Sequence, residues 1–199
     1  MIPRHLLIAV GAMVVAVLLM SIYVWQVRSR VAEIQSATAD TRPVAPPVAG
    51  PTEQVTLYVA YDDAGVLRAR TARIPLPAGR QQRAEELLRA LLNIYLDKST
   101  PHRLAPGSEL RDVYLVDPGL TIIDVNAAFA DGHRSGILVE ELTLASLIQS
   151  LTVNVPGITR VKILVDGKPR ETLAGHADLA DFYDVSSVTK MAEQMQTSQ

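Results

Sequence analysis

Leu6 to Val27 is a run of twenty-two residues without a charged side chain. At 1.5 Å per residue it makes a helix of roughly 33 Å, enough to cross a hydrocarbon core of about 30 Å. Its polar members, Ser21 and Gln26, gather with Tyr23 and Trp25 near its C-terminal end, where amphipathic side chains favour the membrane interface. A cleaved secretory signal has a shorter apolar centre followed closely by a small-x-small site. Here Arg28 and Arg30 follow directly, and the nearest such triplet, Ala37-Thr38-Ala39, lies further on. Residues 1–5 therefore read as a short tail and residues 6–27 as a retained single-pass transmembrane helix with membrane lipid as its partner. The chain has no cysteine, so lipobox acylation cannot replace that helix. Arg4 and the terminal amine on one flank nearly balance Arg28, Arg30 and Glu33 on the other, and charge alone leaves the orientation open.

Residues 28–54 form a Pro/Ala-rich linker whose Ser36–Gln54 stretch cannot bury enough surface to order itself. Extended at about 3.1 Å per residue, that stretch reaches up to roughly 60 Å from the bilayer. Residues 55–185 are enough for one domain with a real core, and residues 186–199 read as a polar tail, frayed or at most a short helix. A net charge of −2 and a pI near 6.1 argue against a nucleic-acid partner.

Within the domain, Val55–Tyr61 and Val66–Ile74 read as strands around the turn Asp62-Asp63-Ala64-Gly65. Residues 81–96 read as a helix, with Ala84, Leu87, Leu88, Leu91, Leu92 and Tyr95 on one face. Glu109–Val116 and Leu120–Asn126 form a hairpin around Asp117-Pro118-Gly119. A second helix, Leu138–Val153, is apolar nearly all round and should be buried. It ends at Pro156-Gly157 and leads to a strand at Arg160–Val165, a turn at Asp166-Gly167 and a short strand at Arg170–Leu173. The fold class expected is α+β: a mixed β-sheet packed with two helices, preceded by one N-terminal transmembrane helix.

The order of these phrases resembles the GerMN domain of sporulation and spore germination proteins, found also in LpqB-like extracytoplasmic lipoproteins. The resemblance rests on Val55–Tyr61 with its acidic turn, on Leu87 to Leu92, and on Leu104-Ala105-Pro106-Gly107-Ser108 before the hairpin. It rests further on Ile123-Asp124-Val125-Asn126-Ala127-Ala128-Phe129, Gly136 with Glu140-Glu141, and Leu147 to Thr152. Val161 to Gly167 and Gly175 to Leu179 complete it. Two features depart from the pattern: Gln149-Ser150 stands where Asn-Thr is expected, and Ala180-Asp181-Phe182-Tyr183 replaces a proline-containing ending. The resemblance implies a domain on the extracytoplasmic side of the cytoplasmic membrane. It implies a non-catalytic docking module of the cell envelope, and it carries over no catalytic residue and no cofactor.

An envelope glycan hydrolase is the rival reading, built on Asp117, Asp124, Asp131, Glu140, Glu141 and His133. Each of these carboxylates also has an ordinary structural role, in a turn, within a strand or at a helix start. A small-molecule or glycan sensor domain is the third reading. The histidines His5, His102, His133 and His176 show no paired helical spacing, and Asp62 to Gly65 is too short for a calcium loop. Asp124 and Asn126 are expected to satisfy backbone donors where the hairpin leaves the sheet, and Ser135 to cap the second helix, such caps being worth about 1 kcal/mol each. Gly107, Gly157, Asp166 and Gly167 are structural turn positions. A partner, an envelope protein or peptidoglycan component, could be met at an exposed strand edge or by Tyr95, Phe182 and Tyr183.

Overall fold

A computed structural model describes residues 50–116 and 118–197, all within one compact unit. The anchor expected at 6–27, most of the linker expected at 28–54 and Asp117 lie outside the described residues, and among those described no helix is long and apolar enough to cross a membrane.

The chain runs β1 (Thr52–Tyr61), β2 (Val66–Pro75), α1 (Arg80–Leu96), β3 (Leu110–Val116), β4 (Leu120–Val125), α2 (Ala127–Asp131), α3 (Ile137–Asn154), β5 (Arg160–Val165), β6 (Tyr183–Asp184) and α4 (Val185–Thr197). The class is α+β, but the strands form two sheets where one was expected. β1 and β2 make an antiparallel pair of their own, and the second sheet has the order β3-β4-β5-β6. Its β4–β5 pair is parallel and its other pairs antiparallel.

The apolar stripe of α1 is buried as the spacing predicts, from Ala84 through Tyr95. Every residue of α3 from Leu142 to Leu151 is buried, so this helix runs through the core rather than along its surface. A buried helix beside a strand raises the question of where that strand's free edge finds partners. Side chains supply them. Ser150 Oγ accepts from Tyr58 N at 2.8 Å, and Ser146 Oγ donates to the Tyr58 carbonyl at 2.6 Å. Asn154 accepts from Thr56 N at 3.3 Å and donates to its carbonyl at 2.7 Å. Tyr95 of α1 accepts from Ala60 N at 2.9 Å and hydrogen-bonds Ser146. Four helical residues advance about 6 Å and two strand residues about 6.8 Å, so one helix face can follow one strand edge. The outer edge of β3 is met in the same way by Gln81 of α1, which bonds Val113 O and accepts from Leu115 N at 3.3 Å.

Three local expectations are corrected. Arg170–Leu173 is not a strand; it makes only an isolated bridge, Thr172 to Asp178, and β6 pairs with β5 instead. Pro169 has no N–H to donate, Leu173 N donates to Ala177 O at 2.9 Å, and the N–H groups of Ala174, His176 and Ala177 turn toward Glu140. The polar tail is largely the helix α4, whose Val188 and Ala192 are buried while Asp184 Oδ1 accepts from Ser186 N at 2.9 Å at its start. Ala127–Asp131, read only as a strand exit, is a short helix capped by Asn126, which accepts from Phe129 N at 3.1 Å. At the 165–168 hairpin, Asp166 and Gly167 have φ of 51° and 72°, as a two-residue turn matching strand twist requires.

Ser150→Ala removes the acceptor of a part-buried N–H. It should cost about 1–3 kcal/mol in urea unfolding and speed hydrogen exchange at the Tyr58 amide, leaving α1 amides unchanged.

Candidate functional site

Alternation along the strands of the second sheet sends Val113, Ile123, Val125, Val161 and Ile163 into the core, each with no exposed surface. The opposite face is not the polar one that a half-solvated sheet normally presents. Across the strands Tyr114, Ile122 and Lys162 share one row, and Val116, Leu120 and Arg160 the next. Tyr114 and Val116 are 46% and 42% exposed, and Phe182, beside the β6 edge, is 51% exposed. Leu120, Ile122 and Leu164 between them are half-buried.

Charges frame this apolar area. Lys162 is buried and donates to Leu179 O at 2.7 Å and also to Ala180 O, so a cation fixes the segment carrying Phe182. The Phe182 ring centroid lies 5.4 Å from the Arg160 guanidinium and 5.6 Å from Lys162 Nζ. At the other end, Arg111 stands on a bulge and bonds Asp124 at 3.2 Å and Asp166 at 2.9 Å. Asp124 also accepts from Gly167 N at 2.8 Å. Asn126 likewise accepts from Glu109 N at 3.0 Å and donates to Gly107 O at 2.7 Å.

Two of the sites expected from sequence move elsewhere. Tyr95 is no binding anchor: it is fully buried, its hydroxyl spent on β1 and Ser146. Ser135 is no cap, because the N-cap of α3 is Gly136 and the Ser135 hydroxyl lies 3.3 Å from His176 Nδ1. Tyr183 is half-buried and bonds Asp178 O, lining a cavity of about 260 Å³ with Leu144, Val188, Met191 and Glu141. Burial pushes its phenol up to about 12.

The carboxylates of the hydrolase reading do not converge on one group. Asp124 is held by Arg111, and Asp131 by Arg170 at 2.5 Å. Glu140 is fully buried and accepts from the backbone N–H of Ala174, His176, Ala177 and Gly136 at 2.9–3.1 Å, and contacts His176 Nδ1 at 2.9 Å.

A second polar cluster, invisible in the motifs, is sealed in the core. His102 and Thr143 have no exposed surface and His133 has 7%. Asp62 Oδ1 meets His102 Nδ1 at 2.6 Å, and both imidazole Nε2 atoms reach Thr143 Oγ1, at 2.8 and 2.7 Å. An aspartate, a histidine and a hydroxyl in line have the order of a nucleophilic triad. Burial closes Thr143 to any substrate. The sequence signal that could have revealed these groups is the spacing of the polar residues inside α3. Glu140, Thr143, Ser146, Ser150 and Asn154 recur at three, three, four and four, on a single face.

The family model for Germane, described as sporulation and spore germination, matches residues 56–171. The chain belongs to this family. The matched Germane region runs from Thr56, within β1, to beyond the end of β5, and Phe182, Tyr183 and α4 lie beyond it. Among solved structures, the tandem GerMN domains of the sporulation protein GerM from Bacillus subtilis are 19% identical, with a TM-score of 0.52 over 69% of this chain and 48% of that one. The Germane chain is thus similar in fold to a protein about twice the length of the region they share. A candidate lipoprotein from Clostridium perfringens is 19% identical over 78% of this chain and 99% of that one, with a TM-score of 0.44. The first GerMN domain of GerM, at 17% identity, covers 65% of this chain and 94% of its own, with a TM-score of 0.45. No curated protein matches the chain.

Burial pushes the Glu140 carboxyl up, but the Ala177 N–H, the His176 imidazole and the N–H groups of Gly136 and Ala174 outweigh it and bring it from 4.5 to about 2. A folded-state value below the unfolded one adds stability above the unfolded pKa, and that stability is lost as pH falls from about 4.5 towards about 2. Glu140→Gln should therefore cost about 3 kcal/mol at pH 7 and flatten the acid limb of the stability profile, as read by urea unfolding at neutral and acid pH.

Proposed function

We propose that this chain is a membrane-anchored extracytoplasmic docking module of the cell envelope. Residues 6–27 hold it in the cytoplasmic membrane as a single-pass helix, and residues 28–54 space the Germane domain away from the bilayer. The observation that carries the reading is the sheet face with Tyr114, Val116, Leu120, Ile122, Leu164 and Phe182 turned to solvent. An apolar area of this kind, rimmed by charge, fits protein association better than a solvated surface. Its exposed aromatic rings are of the type that dominates binding energy at interfaces.

The partner that fits is an envelope protein presenting an apolar patch beside an acidic group, since the exposed Arg160 guanidinium flanks Phe182. Anchoring confines both proteins near one surface and raises their effective concentration, so a modest patch suffices. Non-catalysis is supported by the commitment of Asp124, Asp131 and Glu140 to salt bridges and backbone donors.

Photo-crosslinking from positions 114, 116 and 182 in cells tests this. The expected result is an adduct with one envelope protein from these positions and none from position 70, on exposed β2. Tyr114→Glu combined with Phe182→Glu should abolish that adduct with the melting temperature unchanged. Adducts only to peptidoglycan, or muropeptide turnover lost in Asp124→Asn, would overturn the reading in favour of a hydrolase.

A further inference from the structure

The sealed cluster holds a line of four contacts. They run from Asp62 Oδ1 to His102 Nδ1 at 2.6 Å and from His102 Nε2 to Thr143 Oγ1 at 2.8 Å. They continue from Thr143 Oγ1 to His133 Nε2 at 2.7 Å, and from His133 Nδ1 to the Arg134 carbonyl at 2.8 Å. Each is a hydrogen bond only if a proton lies between its two atoms. With Asp62 ionised and both rings neutral, the line owns three protons: one on each imidazole and one on the hydroxyl. That is one fewer than the contacts need, whichever tautomers are drawn. The Thr143 hydroxyl also stands 2.9 Å from the Val139 carbonyl, which only adds to the demand. In the neutral state at least one contact sets lone pair against lone pair, and the two contacts to Thr143 at the centre of the line are fully buried.

The groups around the line bear on the same proton. From the β1–β2 turn comes the Asp62 carboxylate, whose other oxygen accepts from Arg134 at 2.9 Å. From α1 the Tyr95 ring meets His102 edge-on at a centroid distance of 4.7 Å. From α2 the Phe129 ring stands 6.2 Å from His133, and from α3 comes the buried Glu140, itself bonded to His176. Two carboxylates against one guanidinium leave a negative charge that an added proton balances; a protonated His176 would share in that balance.

We propose that this line is a one-proton latch. Uptake of a single proton completes the four contacts and clamps the segments carrying His102 and His133 onto α3, and loss of that proton opens one of them. The latch therefore closes as pH falls. Burial pushes both rings below the ordinary histidine value, against the pull of Asp62 on His102 and of the Arg134 carbonyl, Glu140 and Asp62 on His133, so closing falls on the acid side of free histidine.

The test is nitrogen-detected NMR of the chain in detergent micelles, with the histidines labelled, from about pH 8 down to about pH 4, a range that extends below that of free histidine. The Nε2 signals of His102 and His133 should move together at one midpoint, with uptake of one proton for the pair. In Thr143→Val they should separate. Independent midpoints with a proton for each ring in the unaltered chain would overturn the latch, as would no uptake while the domain stays folded. Should Thr143→Val fail to fold, the unaltered chain decides the matter by itself.

Discussion

The inner edge of β1 sets the terms for the rest of the domain. Thr56, Tyr58 and Ala60 turn backbone donors or acceptors away from β2 and into the protein, where an unpaired group costs about 1–3 kcal/mol. A third strand would satisfy them but would leave α3 at the surface. The chain instead lays α3 along that edge and uses Ser146, Ser150 and Asn154 as the missing strand. Helix, hairpin and α1 are thereby tied by bonds that specify both position and register, which apolar contact alone does not. The outer strand, β2, becomes the one facing solvent, and there Arg68, Arg70 and Arg73 discourage edge-to-edge pairing with other chains.

What was legible in the sequence follows from this arrangement. The α1 stripe could be read residue by residue, because one face of that helix is apolar and the other is not. For α3 the periodicity showed only that the helix is apolar all round, and burial was the correct deduction. The polar stripe within it was not read, because its partners lie as far away as ninety-eight positions and no local spacing betrays them. Arg170–Leu173 was misread for the same kind of reason: a buried carboxylate elsewhere in the chain, Glu140, takes the backbone donors that follow it. Ser135 looked like a cap because serine before a helix usually is one. Here the carboxylate one turn inside the helix reaches back to Gly136 N and makes the serine unnecessary. The sheet face could have been suspected from β4 and β5, whose near-continuous apolar runs fit strands covered on both sides more closely than strands half in water.

Those two halves of the domain divide its labour in physical terms. Polar side chains that could do chemistry are drawn inward along one face of α3, where they tie down other segments of the chain. Glu140 gathers the 174–177 loop, Thr143 the two histidine-bearing segments, and the three residues beyond it β1. The surface of the second sheet keeps apolar and aromatic groups that a solitary domain would do better to bury or replace. Chemistry by paired carboxylates needs two such groups facing one another across a cleft, and Asp124, Asp131 and Glu140 are each held by a different partner. On the docking role proposed above, buried hydrogen bonds that hold helix, hairpin and loops in one register leave the apolar face little freedom to lose on contact, and that is the property from which a docking surface gains affinity.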